Sequence, residues 1–399
     1  MSRRESGSPD ASTVTTTSAV AVIGGGVIGA SIAYHLARAG VDDVVIIDRA
    51  PRPGAGSTGR ATGGFRAQFA TPVNVQMSLM SRDALLRFND ETGVDPEFQQ
   101  VGYLWLASSP AEMNAIRAAN DLQHAEGLTE ARVLTREEAL EINPLVNGDD
   151  IIGGAFCPTD GYIKPLQILR GYLESAERLG VRFLWDTKCV GMVRERDRVE
   201  SLQTTRGHIA VGAVVNAAGP WAAHVAEMAG VNLPVTALRR QAAFTAPTDA
   251  IPANMPMTIF MHNGFHVRAR EGRALFSWPT AEQPGEPADL SADVDWINEV
   301  TAHARKRLPV LKNAAIDWEM CYAGLYEMSP DHHAILGKSA SCANMYFANG
   351  SSGHGVMHSP AIGSIIADMI MEKEPQLDVS MLRPSRFDEG QPVTAAELL

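Results

Sequence analysis

The clearest pattern in the chain is a change of hydrophobic period across residues 19–48. Ala19-Val20-Ala21-Val22-Ile23 is an unbroken apolar run, as a strand covered on both faces requires. Gly24-Gly25-Gly26-Val27-Ile28-Gly29 comes next. Ile28, Ile32 and Leu36 then recur at helical spacing, with Ala33 and Ala37 beside them and Ser31, His35 and Arg38 on other faces. Gly40 suits the helix end, and Val44-Val45-Ile46-Ile47 is a second buried strand ending at Asp48. The pattern predicts a βαβ unit. Ala213-Val214-Val215 later runs into Asn216-Ala217-Ala218-Gly219-Pro220-Trp221, a second strand that opens into a small-residue turn. Phe265-His266-Val267-Arg268 alternates, which predicts a strand with His266 and Arg268 on one face. Ala361 to Met371, interrupted by Asp368, predicts a buried helix. Residues 1–17 are polar and predict a disordered tail. The Pro- and Gly-containing stretch 279–290 predicts a loop and a candidate lid.

Composition narrows the class. At 399 residues, 45% hydrophobic and 20% charged, the chain is long and apolar enough for a folded protein of two or three domains. The formal charge of −12, with no basic stripe, argues against sequence-independent nucleic-acid binding. No run of about 20 apolar residues predicts a transmembrane helix. Cys157, Cys189, Cys321 and Cys342 are irregularly spaced and contain no C-x-x-C, against a disulfide framework or a Cys-based zinc site. Free cysteines fit a reducing cytoplasm, which is the expected location. His262 with His266, and His332 with His333, lack ligand spacing, so no metal site is expected.

The first βαβ unit carries chemistry. In G-x-G-x-x-G, Gly24 permits the tight turn, Gly26 lets a pyrophosphate approach the backbone, and Gly29 lets helix and strand pack closely. The helix N-terminus, here Val27 and Ile28, presents N–H groups to phosphate. Asp48 lies 19 positions after Gly29, where a carboxylate can accept both ribose hydroxyls and disfavours a 2′-phosphate. The motif does not separate NAD from FAD. Beyond Asp48 the chain does not continue as further βαβ units; residues 49–66 are instead rich in Gly, Ser and Thr.

With these motifs in one order, nearly the whole chain after the tail resembles the amino-acid-oxidising flavoproteins of the D-amino-acid oxidase, glycine oxidase and sarcosine oxidase superfamily. The remaining matches are Gly56-Ser57-Thr58, Val190, the turn at 216–219, Gly324-Leu325-Tyr326-Glu327-Met328-Ser329-Pro330-Asp331, and Gly350-Ser351-Ser352-Gly353-His354-Gly355-Val356-Met357. The nearest likeness is to the sarcosine oxidase beta subunit and L-proline dehydrogenase-like chains.

The resemblance implies an α/β (mixed α+β) fold, with a Rossmann-type FAD-binding lobe and an interleaved mixed-sheet substrate lobe. The expected FAD lobe takes residues 18–91, 148–228 and 315–372, and the substrate lobe takes 92–147 and 229–314, with 373–399 as a C-terminal tail. It implies that Asp48 and Arg49 hold the adenosine ribose, that Ser57 and Thr58 lie near the pyrophosphate or ribityl chain, and that Val190 offers backbone bonds to adenine. Ala218 and Gly219 pack near the cofactor. Gly324, Leu325 and Tyr326 lie along the isoalloxazine, as do Gly353, His354, Gly355, Val356 and Met357. Arg66 matches the arginine that pairs with a substrate carboxylate, with Phe65, Phe69 and Trp105 as candidate walls. His266 and Arg268 are candidates on the strand that roofs the pocket.

The implied reaction is hydride transfer to flavin N5 from a secondary or N-methyl amino acid, sarcosine- or proline-like. Alternatives are a D-amino-acid or glycine oxidase or dehydrogenase, and an FAD-binding subunit inactive outside a hetero-oligomer. Relatives that bind FAD covalently use a cysteine where Gly324 stands, so noncovalent FAD is expected. Their second carboxylate anchor, a lysine, is replaced by Met357. The electron acceptor (oxygen, a quinone or a partner subunit) and the oligomeric state stay open.

Overall fold

The computed structural model describes residues 14–279 and 290–394. The candidate lid at 279–290 therefore lies almost entirely outside the described residues. Two eight-stranded sheets form the scaffold. The first runs in the order Ile335–Lys338, Met345–Asn349, Gly207–Asn216, Val14–Ile23, Val44–Ile47, Arg182–Leu184. Cys189–Glu195 and Arg198–Thr204 extend from Gly207–Asn216 as an antiparallel ribbon.

The apolar run 19–23 is explained by its place at the centre of this sheet. Val20 and Val22 enter one core with the Val27–Arg38 helix, while Ala21 and Ile23 enter another on the opposite face. Its parallel neighbours are Val44–Ile47 and Gly207–Asn216. The strand begins at Val14, so residues 14–17 belong to the sheet and not to a tail. The Val27–Arg38 helix buries Ile32 and Leu36 as its spacing predicts, but it also buries Ser31 completely. The reason is a second helix, Gly355–Ile370, that crosses it closely. A Cβ on Gly363 would lie 2.0 Å from Ser31 Oγ.

The second sheet runs Tyr322–Met328, Thr236–Phe244, Arg273–Ser277, His266–Arg270, Met257–Phe260, Tyr103–Ala107, Gly153–Cys157, Arg132–Thr135. The Val294–Arg307 helix packs on it through Trp296, Ile297, Val300 and Ala304. Two strands depart from the expected division. Gly153–Cys157 and Tyr322–Met328, placed by sequence in the cofactor lobe, pair within this second sheet. Tyr322–Met328 pairs with Thr236–Phe244 over seven residues, a long-range register that local patterning does not reveal.

The 373–394 segment is docked, not a loose tail. Arg386 is fully buried and ion-paired to Asp331. Among the described residues, no helix is long and apolar enough to cross a membrane.

Candidate active site

The Gly-rich turn sits where the central strands end. Gly24 adopts φ +115°, and a Cβ there would lie 2.2 Å from Ala217 O. The two small-residue turns are therefore in backbone contact, which is why both lack bulk. A Cβ on Gly29 would lie 2.0 Å from Gly24 O, so helix and turn meet without room for a side chain. Gly26 differs: a Cβ there would touch only Thr58 Oγ1, at 3.4 Å. Its bare backbone faces open space, as a phosphate cradle needs. Val27 N–H donates to Thr58 Oγ1 at 3.1 Å. Asp48 fastens the far side, accepting from Gly25 N–H and Ala50 N–H, each at 2.7 Å. The Arg49 guanidinium lies 3.9 Å over the Trp221 ring. Ser57 Oγ donates to Leu325 O at 2.7 Å, tying the Gly-rich loop to the second sheet.

These groups border one cavity of about 560 Å³, open between the two sheets. Its wall includes Gly24 to Ile28, Asp48, Arg49, Ser57, Thr58, Ala218, Gly219 and Trp221, and also Gly324 to Tyr326, Gly353, Gly355 and Val356. Among the described residues, Arg49, Arg52, Arg60, Lys188 and Arg240 stand on the wall against Asp48 and Glu327 as carboxyls. A chain of net charge −12 thus presents a locally cationic cavity. The bare Gly26 backbone, the helix N-terminus and this cation set fit a dinucleotide with a pyrophosphate.

Besides Gly29, which packs against the turn, three expected cofactor residues stand off this wall. The Val190 side chain is half exposed, beside a stretch of wall made by Thr187, Lys188 and Cys189; the role expected of Val190 is a backbone one. Strand alternation turns Cys189 inward and Val190 outward. Met357 is packed in the core between helices. His354 is partly buried and meets Arg66.

Arg66 is 6% exposed, its guanidinium 4.2 Å from the Phe69 ring centre and 5.0 Å from that of Trp105. Phe65 does not join them; it packs in the core against Phe98. Arg66 Nη1 donates to Gln68 O at 3.2 Å, and Nη2 donates to His354 Nε2 at 3.1 Å. A guanidinium only donates, so Nε2 is the acceptor and His354 is neutral. Burial and the adjacent Arg66 cation both hold the imidazole well below its usual range. Burial lowers the Arg66 pKa to about 10, which leaves it charged at neutral pH. His266 bonds Gly264 O through Nδ1 at 3.1 Å; burial, with Arg66 and Arg240 nearby, lowers its pKa.

Arg268 does not take the pocket role expected of it. Its Nη1 donates to Thr62 O and Gly63 O, each at 2.8 Å, and its Nε donates to Ala269 O at 3.0 Å. It lies 3.6 Å over the Tyr162 ring. The predicted face is real, but the Gly-rich loop covers it, and Arg268 holds that loop.

Sequence reasoning missed Asp160 and Arg240. Asp160 is fully buried and accepts Ala67 N–H at 2.8 Å and Gln68 Nε2–H at 3.3 Å, fixing the segment that carries Arg66. Burial, opposed by those bonds, raises its carboxyl to about 7. A single aspartate in a turn carries no sequence signal. Arg240 reaches the wall beside Tyr326 only because its strand pairs with Tyr322–Met328. Among the described residues, no group of three or more His, Cys, Asp or Glu is placed to hold a metal.

The chain is similar to mitochondrial dimethylglycine dehydrogenase of Rattus norvegicus, 29% identical over 92% of this chain and 44% of the relative. It is similar to mitochondrial sarcosine dehydrogenase of Mus musculus, 30% identical over 93% of this chain and 42% of the relative. It thus spans less than half the length of these curated relatives. Among solved structures, L-proline dehydrogenase from P. horikoshii superposes with a TM-score of 0.88 at 30% identity, over 95% of this chain and 100% of that one. The model of the family described as FAD dependent oxidoreductase matches residues 19–369. A glycine-built cavity between two sheets, and a family match along almost all of the chain, place this protein in the FAD dependent oxidoreductase family.

Proposed function

We propose that the chain oxidises the C–N bond of a secondary or N-methyl amino acid, sarcosine- or proline-like, with noncovalently bound FAD. The observation that carries this reading is Arg66: a buried cation bracketed by Phe69 and Trp105, beside the Tyr326 end of the cavity. Its planar donor fork suits a carboxylate, and burial strengthens that pairing. Phe69 and Trp105 exclude water from it. His354 and the Asp160-held segment orient it. The turn at 24–29, Asp48, Arg49, Ser57 and Thr58 would hold FAD, which when bound supplies the hydride acceptor. The relatives named for dimethylglycine, sarcosine and L-proline support an N-substituted amino acid.

The test is anaerobic bleaching of the bound flavin by sarcosine, dimethylglycine, L-proline, L-pipecolate, glycine and D-amino acids. An N-substituted member should bleach it at the lowest concentration. Bleaching only by glycine or D-amino acids would replace the reading with a primary-amine enzyme. Bleaching by none would leave an FAD-binding subunit inactive by itself.

Acid precipitation should release the flavin into the supernatant. Cys321 directs its thiol at Asp317 O, 3.3 Å away, and is not on the wall; the wall cysteine, Cys189, stands with Thr187 and Lys188. Flavin kept in the protein pellet would contradict noncovalent binding.

Gly24→Ala should lower the flavin-to-protein ratio at least tenfold, because it combines a left-handed φ with a backbone clash. Gly180→Ala is the matched control. Gly180 shares a left-handed φ, +90°, but a Cβ there would meet nothing within 4 Å and the residue is not on the cavity wall, so this variant should stay yellow.

A further inference from the structure

Where the Tyr322–Met328 strand meets the turn after Met345–Asn349, three buried polar side chains come together. Glu327 is 9% exposed, Ser351 4% and Asn349 0%. Ser352 N–H donates to Glu327 O at 2.9 Å, and Ser351 N–H makes a long bond of 3.4 Å to Glu327 Oε1. The Ser351 and Asn349 side chains lie close to the Glu327 carboxyl, yet Glu327 Oε2, Ser351 Oγ and both polar side-chain atoms of Asn349 are buried without a hydrogen bond of good geometry. Each such atom carries an uncompensated desolvation cost, and apolar replacement of the group would be nearly neutral in a fold that needed it for nothing else. Glu327 and Ser351 border the cofactor cavity. The cluster lies next to Gly353 and Tyr326, whose close approach brings the two chain segments together: a Cβ on Gly353 would lie 2.6 Å from the Tyr326 ring.

We propose that Glu327, backed by Asn349 and Ser351, is a hydrogen-bonding group for the bound FAD and raises its two-electron midpoint potential. The proposal rests on the FAD reading above. Burial, opposed by the Ser351 contacts, raises the Glu327 carboxyl to about 7, so near neutrality a proton is available for donation. A neutral donor favours the more electron-rich form of the cofactor, and a buried site amplifies the effect. Glu327 is a positioning and tuning residue; it need not touch the amino acid.

The experiment measures FAD affinity and midpoint potential of the full chain, without substrate, for wild type, Glu327→Gln and Glu327→Leu. Glu327→Leu should weaken FAD binding three- to tenfold. It should also lower the reduced-to-oxidised binding ratio about tenfold, equivalent to about 30 mV for a two-electron couple. Glu327→Gln keeps a neutral donor and should restore both values to within threefold of wild type. Should Glu327→Leu fail to fold, Ser351→Ala removes a neighbouring unpartnered hydroxyl and should shift both values in the same direction by a smaller factor. A folded Glu327→Leu protein with wild-type affinity and potential would overturn the proposal while leaving the FAD reading intact, and would mean that the cluster serves only buried water. Wild-type protein that does not bind FAD would overturn both.

Discussion

Arg66→Ala is expected to raise the KM for the amino acid by roughly 30-fold to more than 1000-fold. This is the range that corresponds to about 2–5 kcal/mol for truncating one partner of a buried charged pair. The guanidinium is almost fully buried and aromatic on two sides, so water cannot substitute for it well. Arg66→Lys should recover only part of the loss, because a point charge cannot make the bidentate contact. FAD content should stay near wild type in both variants, since Arg66 is not on the wall that holds the cofactor. Steady-state kinetics alongside the flavin spectrum check this. An unchanged KM in Arg66→Ala would remove the residue from carboxylate binding.

The second large effect lies far from the site. Arg386→Met should destabilise the protein by about 3–5 kcal/mol, because it strands a buried carboxylate. Arg386 Nε and Nη2 donate to Asp331 Oδ2 and Oδ1 at 2.8 and 2.9 Å, and Nη1 donates to Leu382 O at 2.7 Å. Val393 N–H also donates to Asp331 Oδ2, at 2.9 Å. The 373–394 segment is thereby pinned to the Ser329-Pro330-Asp331 turn. Burial pushes the Asp331 carboxyl up, but the bonds from Arg386 and Val393 outweigh it and hold the pKa below the ordinary value. The stabilisation is therefore complete above the ordinary aspartate pKa and is lost as pH falls through the lowered one. Denaturant midpoints should drop for Arg386→Met at neutral pH, and the gap to wild type should narrow on acidification. The double variant Arg386→Met with Asp331→Leu should lose less than the single one, because no unpaired charge is left behind. A wild-type midpoint in Arg386→Met would show that the ion pair does not hold the segment.

The sequence made legible what is local. The βαβ unit, its glycines and Asp48 could be read because each arises from a turn, a helix start or a two-faced strand within 30 residues. What escaped is non-local. Arg268 alternates onto the correct face, yet only the fold shows that the Thr62-Gly63 carbonyls cover that face. Ser31 looks like a polar face residue until a second helix brings Gly363 against it. Gly153–Cys157 and Tyr322–Met328 belong to the second sheet because of partners up to 92 positions away, Thr236 facing Met328. Asp160 and Glu327 are single carboxyls whose meaning lies in burial, and no sequence pattern announces it.

Arg66, beside the Tyr326 end of the cavity, is proposed to hold the carboxylate of an amino acid presented to FAD. The most direct measurement is the anaerobic rate of flavin bleaching by the preferred amino acid and by the same amine without its carboxylate, such as L-proline against pyrrolidine or sarcosine against dimethylamine. Bleaching by the amino acid should be rapid and, at equal concentration, at least 30-fold slower by the decarboxylated amine, with the difference largely abolished in Arg66→Ala. Equal rates for the two amines in the wild-type protein would contradict carboxylate recognition at Arg66.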